Sequence, residues 1–174
     1  MMAKAQPLLA LLQRIERGLD AIIQPAVFAC MAALIGVITM QIVSRVLFTA
    51  VGWTEEVARF LLIWMTFLAA TLAFQRGRHI AVTFAVDALP LAARRIARLV
   101  ALAVVLALLV SLIVIGYRYM QVQSFQKSAS LRVSMTYIYA VMPLCAALMA
   151  WYTLVDMLET LIHGEPQVAK EDTL

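Results

Sequence analysis

Glu55, Glu56 and Arg59 stand at the head of an apolar stretch, VGWTEEVARFLLIWMTFLAATLAF, where lipid is the expected solvent. Arg59 follows Glu55 by four residues and Glu56 by three. On a helix all three can meet on one face, with the carboxylates on the favourable N-terminal side. Arg45 ends the preceding apolar block a short connection away, so the spacing permits an Arg45, Glu56, Arg59 cluster bridging two helices. Three uses of that cluster stay open: an ion pair that fixes packing, a charged collar presented to another protein, or a substrate contact. The uncharged run that follows, Phe60 to Gln75, is about 16 residues or roughly 24 Å of helix, against about 30 Å of hydrocarbon. Arg59 therefore falls near or within the apolar layer. A central arginine costs about 2.5–3.5 kcal/mol on insertion scales, less near an interface or beside a partner.

Other reactive side chains are sparse. Haem-binding bundles need histidines facing one another inside the membrane, whereas His79 and His163 both lie outside the apolar blocks. No metal-ligand cluster, phosphate loop or nucleophile-with-base spacing is evident. The reading is therefore of a protein that is not an enzyme, with no catalytic, cofactor-binding or metal residues. Asp156 and Glu159 sit at one end of the last apolar block, where a carboxylate can reach water. Cys30 and Cys145 differ in expected depth by on the order of 10 Å, too far for a disulfide, and read as small buried hydrophobes.

The elements that must carry these residues are membrane helices. Of the 174 residues 64% are hydrophobic and 14% charged, too apolar for a soluble domain. The apolar residues form blocks from Ala21 to Ser44, Phe60 to Gln75, Leu99 to Tyr117 and Val133 to Val155. A crossing helix needs about 20 residues, so three blocks suffice alone and the second falls slightly short. The first block is too long for a signal-peptide core and reads as a retained span. The predicted fold is an all-α integral membrane protein, one domain over 1–174 with four transmembrane helices at 26–48, 54–75, 95–119 and 135–159. Amphipathic interfacial segments are expected at 7–24 and 80–93, and a mobile tail at 164–174. In the first, Leu8, Leu11, Leu12, Ile15, Leu19 and Ile22 recur at helical spacing opposite Gln13, Arg14, Glu16, Arg17 and Asp20. Pro25 is expected to turn the chain into the membrane. In the second, either a surface segment bends near Pro90 or Pro90 starts an early third helix.

Four spans put both ends of the chain on one side. With the termini inside, the inner segments hold Lys4, Arg14, Arg17, Arg76, Arg78, Arg94, Arg95, Arg98 and Lys170, and the outer ones Arg45, Arg118, Lys127 and Arg132. That bias favours cytoplasmic termini. The net charge of +4 then reflects topology, and no aromatic-interleaved basic patch points to nucleic acid. In this orientation Trp53 lies at outer headgroup depth, Thr54 can cap its helix, and Glu55 and Glu56 complement the helix dipole.

Arg45, then Trp53-Thr54-Glu55-Glu56, Arg59, Trp64, Phe67-Leu68-Ala69-Ala70, Arg76-Gly77-Arg78-His79-Ile80 and Val82 together resemble the signature of the small membrane subunit (Q subunit, DctQ-like) of tripartite ATP-independent periplasmic (TRAP) transporters. Two positions depart from the pattern: Ala69 stands where glycine is expected, and Thr83 where an acidic residue often follows. The resemblance implies a non-catalytic small permease subunit in the bacterial inner membrane. Its partners would be a large multispanning subunit, which carries the sodium-coupled path, and a periplasmic solute-binding protein. It also implies that Arg45, Trp53, Glu55, Glu56 and Arg59 are outer-side packing or docking residues, and that His79 shapes the inner turn. No cofactor is implied for this chain. Two other readings compete. An oligomeric small transporter or channel would need a polar mid-membrane lining, for which Gln41, Thr66 and Ser111 are the candidates. A membrane adaptor unrelated to transport is the other.

Overall fold

A computed structural model describes residues 6–47, 52–86 and 91–163. It contains α1 (Gln6–Leu47), α2 (Gly52–Val86), α3 (Leu91–Val122), a 3-10 turn (Gln123–Phe125), α4 (Met135–Tyr139) and α5 (Val141–His163). Four segments are long and apolar enough to cross a membrane: Arg14–Leu47, Gly52–Gly77, Ala93–Phe125 and Met135–Ile162. The expected all-α, four-span architecture is therefore found. Helix is the natural answer here, because a backbone in hydrocarbon must satisfy its own hydrogen bonds. Side-chain hydroxyls do the same. Thr66, Thr71, Ser111 and Thr153 each donate to the carbonyl four residues back, at 2.7–2.9 Å.

Three boundaries differ from the sequence reading. The chain does not turn at Pro25: α1 runs unbroken through it, so 7–24 and the first span form one rod. Proline removes one intrahelical bond, a loss the flanking turns of a 42-residue helix absorb. At the far end of α2 the helix continues past Arg76-Gly77-Arg78-His79 to Val86, taking in half of the expected surface segment. α3 is described from Leu91; Pro90, where a bend or an early third helix is expected, lies outside the described residues. The fourth span, by contrast, is interrupted at Ala140, between α4 and α5. Pro143 has no N–H to give the carbonyl of Tyr139, four residues back, and its ring crowds that carbonyl. The helix breaks there and restarts with Pro143 in a first turn, where the missing donor costs nothing. The tail at 164–174 lies outside the described residues.

The helices pack as two hairpin pairs, α1 with α2 and α3 with α5, joined through α2 and α5. The core sits at that junction. Ile23 of α1, Leu68 of α2, and Val141 and Cys145 of α5 form its centre, with Leu19, Val27, Trp64, Phe67 and Leu148 packed around it. α5 is the most enclosed helix, and its Val141, Cys145, Tyr152, Thr153 and Thr160 are fully buried. α1 and α3 lie on the outside, exposing Phe28, Ile35, Ile42, Val104, Leu108 and Ile115. In water such faces would collapse; against lipid tails they cost nothing. Cys30 and Cys145 are both free thiols.

Candidate functional site

One end of the bundle is built by the start of α2 and the 126–135 segment that links α3 to α4. That segment folds as a tight hairpin. Lys127 and Ser134 form an antiparallel bridge. Ser128 N–H donates to the Val133 carbonyl at 2.9 Å, Arg132 N–H to Ser128 at 3.2 Å, and Met135 N–H to Gln126 at 3.0 Å. Closing so short a loop puts Arg132 at φ 53°, the left-handed region that non-glycine residues rarely occupy. Such a conformation persists only where its surroundings hold it.

Glu56 supplies the hold. Its carboxylate accepts from the Ser128 hydroxyl, from Ser130 N–H at 3.0 Å and from Leu131 N–H at 3.2 Å. Successive backbone amides in a turn make a concave site for an anion, and here a side chain from α2 fills it. Ser128 is buried. The loop also lies over the first residue of α2: a Cβ on Gly52 would sit 3.6 Å from Ser130 Oγ. Next door, Tyr119 at the end of α3 meets Tyr139 of α4 edge to face, ring centres 4.9 Å apart. Ser134 caps α4 through Thr136 N–H.

The cluster expected from spacing is thus divided. Glu55 pairs with Arg59 at 3.4 Å, both side chains about two-thirds exposed (69% and 65%), a pairing that contributes little. Glu56 faces the loop instead of Arg59. Arg45 is exposed and joins no ion pair among the described residues. Thr54 lies in the first described turn of α2 and is fully buried. Trp53 is part-exposed at 39%. His79 belongs to α2, and its side chain lies outside the described residues.

The opposite end carries a second polar junction that sequence reasoning missed. Asp20 of α1 accepts from the Gln75 amide of α2 and, at 3.2 Å, from the Tyr152 hydroxyl of α5. One carboxylate thereby ties three helices. Asp156 is buried at 3%, not a solvated helix end, and Arg98 of α3 is also buried, at 8%. Arg95 donates to the Leu161 carbonyl at 2.7 Å, closing the last turn of α5 with a cation where the helix dipole favours one. Asp20→Ala removes the acceptor shared by Gln75 and Tyr152. Interhelical hydrogen bonds in membranes are worth about 1 kcal/mol, so a small fall in the melting temperature of the purified protein is expected, with Asp20→Asn falling less.

Among the described residues no three of His, Cys, Asp and Glu gather to hold a metal. What the first junction offers is a fixed surface. Comparison with known proteins gives that surface a context. The family described as tripartite ATP-independent periplasmic transporters, DctQ component, matches residues 34–163. A sialic acid TRAP transporter small permease protein of Vibrio cholerae is 31% identical over 145 residues, 82% of each chain. A putative TRAP transporter small permease protein of Haemophilus influenzae is 45% identical over 42 residues, 24% of this chain and 26% of that one. An isethionate TRAP transporter permease protein of Oleidesulfovibrio alaskensis is 31% identical over 143 residues, 77% of this chain but 22% of that longer one. With four apolar helices of spanning length, this chain belongs to the DctQ component family of the tripartite ATP-independent periplasmic transporters, as a multi-pass small permease subunit of the inner membrane.

Proposed function

We propose that this chain is the non-catalytic small permease subunit of a sodium-coupled TRAP transporter, anchoring the large transport subunit and helping to dock the periplasmic solute-binding protein. Members of the family work with a large permease subunit and a substrate-binding protein. The much longer isethionate permease relative, which contains a segment similar to this chain, supports the large subunit as direct partner. The observation that carries the docking part is the hairpin at 127–134, held on α2 by Glu56. A loop fixed in one shape loses little entropy when a partner binds it. The basic tally supports cytoplasmic termini, which puts this hairpin on the periplasmic side. Sodium coupling then belongs to the large subunit. The relatives' names include two unlike solutes, sialic acid and isethionate, which favours solute choice lying in the partners.

An oligomeric channel built from this chain is the weaker reading. The hydroxyls of Thr66 and Ser111 already donate within their own helices, leaving them poor linings for a polar path. Affinity purification in mild detergent tests the assignment. A large multispanning permease subunit is expected to copurify; recovery of a homo-oligomer alone would replace this reading with the channel. Cysteine labelling in whole cells tests the orientation: Ser130→Cys is expected to react with a membrane-impermeant maleimide, and a cysteine at position 165 is not.

A further inference from the structure

The hairpin end of the bundle has an unbalanced charge. It carries five cations, Arg45, Arg59, Arg118, Lys127 and Arg132, and two carboxylates, Glu55 and Glu56. Both carboxylates are engaged, Glu55 with Arg59 and Glu56 with the loop. Arg45, Arg118, Lys127 and Arg132 are exposed, and none of the four is in an ion pair among the described residues. Apolar groups stand among them: Phe125 is 93% exposed and Tyr137 71%. Exposed aromatics beside arginines are the composition of interface hot spots.

Resting on the docking reading above, we propose that Phe125, Lys127, Arg132 and Tyr137 form the contact patch for the soluble binding protein, and that this partner presents a carboxylate-rich face. Three features favour it. On the proposed outer side basic residues are usually scarce, so four uncompensated cations there call for a use. Glu56 is consumed inside the molecule, which leaves the hairpin purely cationic toward a partner. The hairpin is fixed on α2, so Lys127 and Arg132 are held at a set spacing, as recognition of a patterned acidic surface needs. Complementary charge of this kind steers encounter and makes association sensitive to salt.

The test uses the complete permease, this chain with its large subunit, in nanodiscs of zwitterionic lipid, and the soluble binding protein of the same transporter. Binding is followed at constant sodium while potassium chloride is raised from about 50 to 500 mM. Wild-type affinity is expected to fall on the order of tenfold or more across that range. Lys127→Glu/Arg132→Glu should weaken binding comparably at low salt, and Phe125→Ala should weaken it at every salt concentration, while the large subunit still copurifies with each variant. Binding that ignores both salt and charge reversal overturns the acidic-face proposal and leaves docking intact. Failure of the wild-type permease to bind defeats the docking reading and the proposal together. A fluorophore at Phe125→Cys that becomes buried in anionic-lipid discs without the soluble protein would assign the patch to lipid headgroups, and would also overturn it.

Discussion

Glu56→Ala is expected to leave the subunit assembled in the membrane while abolishing the order of its hairpin and, with it, productive docking. The substitution removes an acceptor from three donors at once, the Ser128 hydroxyl and the amides of Ser130 and Leu131, and leaves Leu131 N–H only its longer 3.4 Å bond to Ser128 Oγ. Ser128 is buried, so its hydroxyl has no water to turn to, and a buried donor without a partner is the costly case. Arg132 then has less reason to stay at φ 53°, and the loop relaxes toward commoner conformations. None of the core residues at the α2–α5 junction is touched. Hydrogen exchange at Ser130 and Leu131 should accelerate on the order of tenfold or more, with exchange along α5 unchanged. Glu56→Gln keeps an oxygen acceptor but loses the charge and one lone-pair partner, so it should fall between. Glu55→Ala, which removes only an exposed pair, should behave as wild type. Equal loss from Glu55→Ala and Glu56→Ala would mean that the exposed collar, not the clamped loop, matters.

The second large effect is expected at Gly116, where α3 crosses α5. A Cβ there would lie 3.3 Å from both Cδ and N of Pro143 and 3.4 Å from Cγ of Met142. Met142 can swing aside. Pro143 cannot, because its ring and backbone nitrogen are set by the start of α5. Small residues at helix crossings let backbones approach, and this close packing drives association where lipid removes the hydrophobic incentive. Gly116→Ala should therefore be tolerated with a slight loss. Gly116→Leu should cost about 1–3 kcal/mol, the usual price of overpacking, seen as a lower melting temperature and a weakened α3–α5 hairpin. Ile115→Leu, at a neighbouring position 59% exposed, is the control and should change nothing. A Gly116→Leu protein as stable as wild type would mean that α3 and α5 do not pack this closely.

What could be read along the chain was whatever repeats locally. Apolar blocks of spanning length gave four helices, and the Trp53 to Arg59 motif with its flanks gave the family. The Glu55–Arg59 pair was legible because it is four residues apart. Its neighbour was not: Glu56 reaches Ser128 across 72 positions, and Tyr152 reaches Asp20 across 132. No periodicity encodes such a meeting. In sequence Asp20 is one more polar residue on an amphipathic face. Pro25 misled in the opposite sense, because a local rule about proline was outweighed by the long apolar helix on either side. Asp156 misled because a position near a helix end says nothing of what packs over it.

Uptake into proteoliposomes tests the central claim, that this subunit supports transport without conducting solute itself. Vesicles holding the chain alone, with an inward sodium gradient, should take up none of the solute that the assembled transporter carries. Vesicles holding the chain with its large subunit and soluble binding protein should accumulate it. Sodium-driven accumulation by the single chain would contradict the account.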